Sequence, residues 1–192
     1  MRFLGGKVRH AGRFAAVLGM TLLLSACGFQ LRGASPVPPA LQPLAVDCPQ
    51  SLSLDFCFAL TEQLELGGVE LVDASEADYI LRLRNYRQDR RASAITAQAA
   101  AAEYILRHTV TLELFTADQI PLIAGTDLMA TETYRYDETN VLAKQREEEE
   151  LREQLGNRLA QQVIFRLAPM TQERIDAAVA EYQAAQDDSE TP

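Results

Sequence analysis

Tyr104-Ile105-Leu106-Arg107-His108-Thr109-Val110-Thr111-Leu112-Glu113-Leu114-Phe115 decides the fold. Tyr104, Leu106, His108, Val110, Leu112 and Leu114 share one face, while Arg107, Thr109, Thr111 and Glu113 share the other with Ile105. Side chains of a strand alternate between the two sides of a sheet, so the run predicts a strand with one dry and one polar face. Downstream, Thr116 to Gln119 supply a turn, and Leu122 to about Tyr136 returns as a strand with Ala124, Leu128, Ala130, Tyr134 and Tyr136 pointing one way. Upstream, Tyr79 to Arg84 alternates apolar residues with Arg82 and Arg84. Arg87, Arg90 and Arg91 extend that charge. Residues 92–102 are nearly all small; alanine favours a helix there, whereas the position between two strands favours a hairpin connection or continued strands. Consecutive strands joined by short turns pair antiparallel.

Outside these strands the period changes. Leu44, Val46 and Cys48 alternate between Pro43 and Pro49, which predicts a short edge strand. Leu52, Phe56, Leu60 and Leu64, at steps of four, predict a helix over about 52–66, with Ser51 or Ser53 as N-cap and Gly67 or Gly68 as stop. Val69, Leu71 and Val72 then lead into a turn-like segment, Asp73 to Asp78. From Asn140 to Ala168 a long helix places Leu151, Leu155, Leu159 and Val163 in one row, with Ala160, Ile164 and Leu167 beside it. Glu147 to Glu150 read as its wet face, with Glu148 spaced to pair with Arg152. Gly156 costs about 1 kcal/mol against alanine inside a helix and reads as a site of close packing on the sheet. Pro169 ends the helix. Ile175, Val179 and Tyr182 suggest a brief amphipathic helix before a disordered Asp187 to Pro192. The fold class expected is α+β, in the order β-α-β-β-β-α: a four-stranded, mainly antiparallel sheet with two helices packed on one face. Its domain spans 40–169, and 170–192 is a partly helical or disordered tail.

The N-terminus reads as an address. Arg2, Lys7, Arg9 and Arg13 form a positive region without acids, and Phe14 to Leu24 is apolar except for Gly19 and Thr21. That run is shorter than the roughly 20 residues a membrane span requires. Leu24-Ser25-Ala26-Cys27 resembles the lipobox of bacterial lipoproteins, which implies cleavage of 1–26 and diacylglyceryl and acyl modification of Cys27. Residues 27–39 then form the lipidated end and a Pro-rich linker. Cleavage removes four positive charges and no acids, taking the net charge from −9 to −13 over the remaining 166 residues. Such an acidic chain is not built to bind nucleic acid, whose phosphates are met mainly by Lys and Arg. Cys48 and Cys57 stand in an exported chain, where a disulfide can persist; a bridge and two buried thiols both remain open.

Chemistry-bearing patterns are scarce. His108 is the only histidine left after cleavage, and it sits on the apolar strand face where a satisfied core histidine is the ordinary reading. No serine nucleophile motif, zinc-ligand spacing or glycine-rich phosphate loop occurs. The expectation is therefore a non-enzyme with no metal or cofactor. The arginines are the alternative: Arg87, Arg90, Arg91, Arg107 and Arg135 could hold phosphate or carboxylate groups through guanidinium contacts, or form a solvated face balanced by acids elsewhere.

Several pieces together resemble one family, the LptE lipopolysaccharide-assembly lipoproteins: Cys27-Gly28-Phe29-Gln30-Leu31-Arg32-Gly33, Gly68-Val69-Glu70-Leu71-Val72, Ala77-Asp78-Tyr79, Tyr134-Arg135-Tyr136 and Val141-Leu142-Ala143-Lys144. The resemblance covers about 22–168. It implies a lipid-anchored outer-membrane subunit, facing the periplasm, that plugs an LptD-type β-barrel. The pair would insert lipopolysaccharide into the outer leaflet, with the lipoprotein also assisting barrel assembly. Gly28 in place of a retention aspartate fits export to the outer membrane. This chain departs from the family where basic residues implicated in lipopolysaccharide binding fall, placing Ala97 and Met129 there. The cations left for such contact are Arg87, Arg90, Arg91, Arg107 and Arg135. The competing reading is a stand-alone periplasmic ligand-binding or cell-envelope structural lipoprotein.

Overall fold

The computed structural model describes residues 35–49, 52–97 and 101–190; Cys27 and the signal segment lie outside them. In chain order the elements are β1 (Leu44–Asp47), α1 (Leu54–Leu66), β2 (Tyr79–Ile95), β3 (Ala101–Thr116), β4 (Pro121–Arg135), α2 (Val141–Leu167) and α3 (Gln172–Glu190). The four strands lie in sequence order, with β1 parallel to β2 and the other pairs antiparallel. Parallel neighbours need a long crossover, and α1 supplies it. The expected α+β class with a mainly antiparallel sheet is present, with β1 at the edge. The small residues after Arg91 continue both strands.

The dry face of β3 behaves as its alternation demands: Leu106, His108, Val110, Leu112 and Leu114 are all buried. They meet Leu60 and Leu64 of α1 and Leu155, Leu159, Val163 and Leu167 of α2 in one core. Burial of these large aliphatic side chains, each contributing about 1.5–3 kcal/mol, is the main stabilising term.

Register shifts break the simple alternation, and two of them decide which way named residues point. Between Arg84 and Arg87 the pairing of β2 with β3 slips, and Asn85 takes a left-handed φ of 55°. Asparagine tolerates that conformation better than most residues. An extra residue in one strand inverts the face of everything beyond it. Gln88 and Arg90 consequently lie opposite His108 and Leu106, on the helix side, whereas Arg87, Asp89 and Arg91 face away with Thr109, Arg107 and Ile105. Grouping Arg90 with Arg87 and Arg91 is therefore corrected. A second slip lets Ile123, rather than Ala124, pair with Leu114; Ala124 is exposed, against the expectation that it points inward.

Helix α1 stops because Gly68, at φ 76°, opens a left-handed turn. Val69 N–H then donates to the Leu64 carbonyl at 3.0 Å and Gly68 N–H to that of Glu65 at 2.9 Å, closing a Schellman motif over the buried Leu64 and Val69. Ser53 occupies the N-cap position without a side-chain capping bond. Cys48, just past β1, and Cys57 in α1 are joined by a disulfide with Cα atoms 6.3 Å apart.

Helix α2 ends at Leu167, ahead of Pro169. Beyond it, α3 runs through Glu190, longer than the brief helix and disordered tail expected; Ile175 is buried in the core and Val179 packs against it. Gly156 also differs from its reading. A Cβ built there would meet nothing within 4 Å, because the residue borders an open groove between α1 and α2. With no steric obstacle, Gly156→Ala should stabilise the domain by about 1 kcal/mol; an unchanged or lowered denaturation midpoint would contradict the open site.

Candidate functional site

Behind the upper half of the sheet lies a buried ionic hub. Glu148 is only 5% exposed, in contrast to the wet face expected for Glu147 to Glu150. Its Oε2 accepts from Arg90 Nη1 at 2.8 Å and from the Tyr134 hydroxyl, and its Oε1 accepts from Arg152. The spacing to Arg152 was legible in the sequence. The burial was not, because the donors Arg90 and Tyr134 come from β2 and β4. Burial pushes the Glu148 carboxyl pKa up, but hydrogen bonds from Tyr134 and Arg90 and the charges of Arg152 and Arg90 outweigh it, and the group ends below the usual range. Arg90 also lies over the Tyr104 ring, 4.3 Å from its centroid, and Tyr104 stacks on Tyr134. One carboxylate thus joins β2, β4 and α2.

His108 lies next in this layer. Its Nδ1 is 3.1 Å from the Tyr86 hydroxyl, which accepts from Gln88 at 3.0 Å, and Tyr86 stacks on Phe56 of α1. Nε2 has no partner. Burial, with the Arg152 charge nearby, lowers its pKa from 6.5 to about 4, so the ring is neutral at neutral pH. Both oxygens of Glu148 are engaged by its three donors, which suits the layer to holding elements together.

The opposite sheet face divides into halves. In the lower half, Arg82 pairs with Asp47 at 3.1 Å, Arg84 with Glu113 at 3.3 Å, and Thr111 donates to Asp127. In the upper half, cross-strand rows read Arg87–Thr109–Met129, Asp89–Arg107–Thr131 and Arg91–Ile105–Thr133, with Glu103–Arg135 above. Among the described residues none of Arg87, Arg91, Arg107 and Arg135 forms an ion pair. The five arginines named from the sequence therefore separate, four on the open face and Arg90 in the hub. The outer edge of β4 is covered in part, since Arg158 and Gln162 of α2 donate to the Thr131 and Met129 carbonyls.

Among the described residues, the groove between α1 and α2, about 600 Å³, is open and acid-walled by Asp55, Glu62, Glu149 and Glu153. None of the described His, Cys, Asp and Glu residues gather in threes to hold a metal ion, and no described helix is long and apolar enough to cross a membrane.

These features define a two-layer α+β domain in which, among the described residues, the helices cover one face of the sheet. The same fold is found in the solution structure of lipoprotein B from Nitrosomonas europaea, with a TM-score of 0.65 at 20% identity over 78% of this chain and 96% of that one. A minor lipoprotein from Acinetobacter baumannii is similar at a TM-score of 0.56 and 26% identity, over 66% and 90%. In sequence, the LPS-assembly lipoprotein LptE of Pectobacterium atrosepticum is 30% identical over 162 residues, 80% of this chain and 84% of that protein. The family described as LptE, Lipopolysaccharide-assembly, matches residues 41–167. The chain belongs to the LptE family.

Proposed function

We propose that this chain is an outer-membrane lipoprotein, anchored through acylated Cys27, that plugs an LptD-type β-barrel and works with it to place lipopolysaccharide in the outer leaflet. Membership of a lipopolysaccharide-assembly family carries the reading. The shape of the domain supports it over an independent small-ligand binder: the groove between α1 and α2 is open, with four acids beside Phe56, Phe58 and Tyr86, rather than an enclosed apolar cavity, while a polar sheet face is left for a surrounding wall or a ligand. Its role is binding and assembly rather than catalysis, and it extends to assisting the barrel's own assembly. A C-terminally tagged protein, extracted from the outer membrane in mild detergent, should bring down one large β-barrel subunit in stoichiometric amount, and Cys27→Ser should no longer incorporate labelled palmitate. Recovery of the tagged protein alone, with the barrel shown to be present in the extract, would put the stand-alone binding lipoprotein first.

A further inference from the structure

We propose that the free edge of β2, from Arg87 to Ala92, takes up an extended segment of a partner protein as a further strand of the sheet, one with carboxylates on one face and a lysine or arginine on the other. The surface is an edge of the sheet rather than either face, and it stands apart from the functional reading above.

Strand pairing leaves this edge bare. β1 covers β2 only from Tyr79 to Arg82, whereas β2 runs on to Ile95. Among the described residues, no strand lies on that side beyond Arg82, and no other backbone hydrogen bond reaches Arg87 to Ala92 there. Every residue from Arg87 to Ile95 is exposed. Such an edge is a template for another strand, and proteins ordinarily blunt it with proline, lysine, a bulge or a covering element. The outer edge of β4 is covered in that way by Arg158 and Gln162. β2 has no proline or lysine, and its bulges fall on either side of an unbroken register from Arg87 with Thr109 to Ala92 with Tyr104. That stretch is about 20 Å long, the length of an ordinary strand.

Charge and the neighbouring groove select the occupant. Main-chain hydrogen bonds hold an added strand, and the surroundings of its alternate side chains choose it. On the open face the edge presents Arg87, Asp89 and Arg91, and among the described residues neither arginine forms an ion pair. An added strand sets its side chains directly beside them, so acids at positions i and i+4 meet the two arginines, an arrangement that opposite charges favour. On the helix side, Tyr86 and Gln88 open into the acid-walled groove between α1 and α2, which Phe58 also lines. A lysine or arginine at i+3 fits there, its stem against the aromatic rings and its charge among the acids. The two sides thus require opposite charges, which one strand supplies because its side chains alternate. A second copy does not match, since it would set the positive excess of one edge against that of the other.

The probe is a blocked, fluorescent peptide of about nine residues, titrated onto the full-length lipidated protein in detergent. It is built of valine and threonine, with two glutamates four positions apart and a lysine three positions after the first, the order an antiparallel strand requires. Binding should slow amide hydrogen exchange most strongly in Arg87 to Ala92. Lysines in place of the glutamates should weaken binding about 10-fold, and a glutamate in place of the lysine about 5-fold. Arg87→Glu with Arg91→Glu should reverse the first preference, a change of sign that misfolding does not produce. N-methylation of one alternate set of peptide amides should abolish binding and of the other set should leave it, because only one set faces β2. No binding by the parent peptide, equal tolerance of both methylated sets, or protection centred elsewhere would overturn the added strand. Indifference to the charge changes would overturn the occupant assigned to it. Protection of the same segment without peptide, growing with protein concentration alongside a dimer, would overturn it in favour of a second copy. None of these outcomes alters barrel co-purification, which tests the functional reading separately.

Discussion

Replacing Glu148 with alanine should lower the stability of the domain by about 3 kcal/mol, a fall in Tm of about 6–12 °C for a domain of this size. Glu148 accepts from Arg90, Arg152 and Tyr134, so its removal strips three donors of their acceptor at once. Breaking a buried pair by deleting one partner costs about 3–5 kcal/mol. The lower end applies here because Arg90 and Arg152 are each 43% exposed in their side chains and can turn toward water. Tyr134, which is 4% exposed, cannot. Tyr134→Phe removes a single donor and should cost about 1–2 kcal/mol. Denaturant titration of the two variants tests the hub: a Glu148→Ala midpoint within error of the parent would show that the carboxylate is a wet-face residue after all.

Acidification should weaken the domain well before most carboxylates titrate. The folded-state pKa of His108, about 4, lies below its ordinary 6.5, so between those values the unfolded chain binds the proton and the folded chain does not. Stability is therefore complete above about pH 6.5 and falls toward pH 4, by at most about 3 kcal/mol. Glu148 adds a second, lower window. Its folded pKa is depressed, so its contribution is present above the unfolded value near 4.3 and is lost as pH drops through the folded one. His108→Phe leaves no titrating ring, and the slope between pH 6.5 and 4 should largely vanish in stability measured by denaturation across that range. An identical slope in parent and variant would assign the acid sensitivity to other groups.

The two sides of the β3 strand were readable because they depend on one strand's own alternation. The helix row Phe56, Leu60 and Leu64 was readable for the same reason, whereas Leu52, expected in that row, lies ahead of the helix though it is buried with the others. Arg90 was not readable. Its side of the sheet depends on the slip at Asn85, which leaves no periodic mark in the local composition, and one displaced residue reverses every face that follows. Glu148 failed differently: it stands among four consecutive glutamates, and nothing local distinguishes the one that faces inward from the three that do not. Gly156 was misread because a glycine in a helix marks either a close approach or an empty space, and only its neighbours decide which.

Composition and period by themselves determined most strands and helices and which side of most is dry, because these follow from side-chain geometry within a few residues. The small residues after Arg91 and the length of the last helix were not determined that way. The family resemblance was legible too, since it rests on short runs of sequence. Tertiary structure alone decided how the charges sort. Whether an arginine is neutralised depends on an acid brought to it across the fold, such as Glu148 to Arg90 over 58 positions. That pairing sets Arg90 apart from Arg87, Arg91, Arg107 and Arg135, which form no ion pair among the described residues.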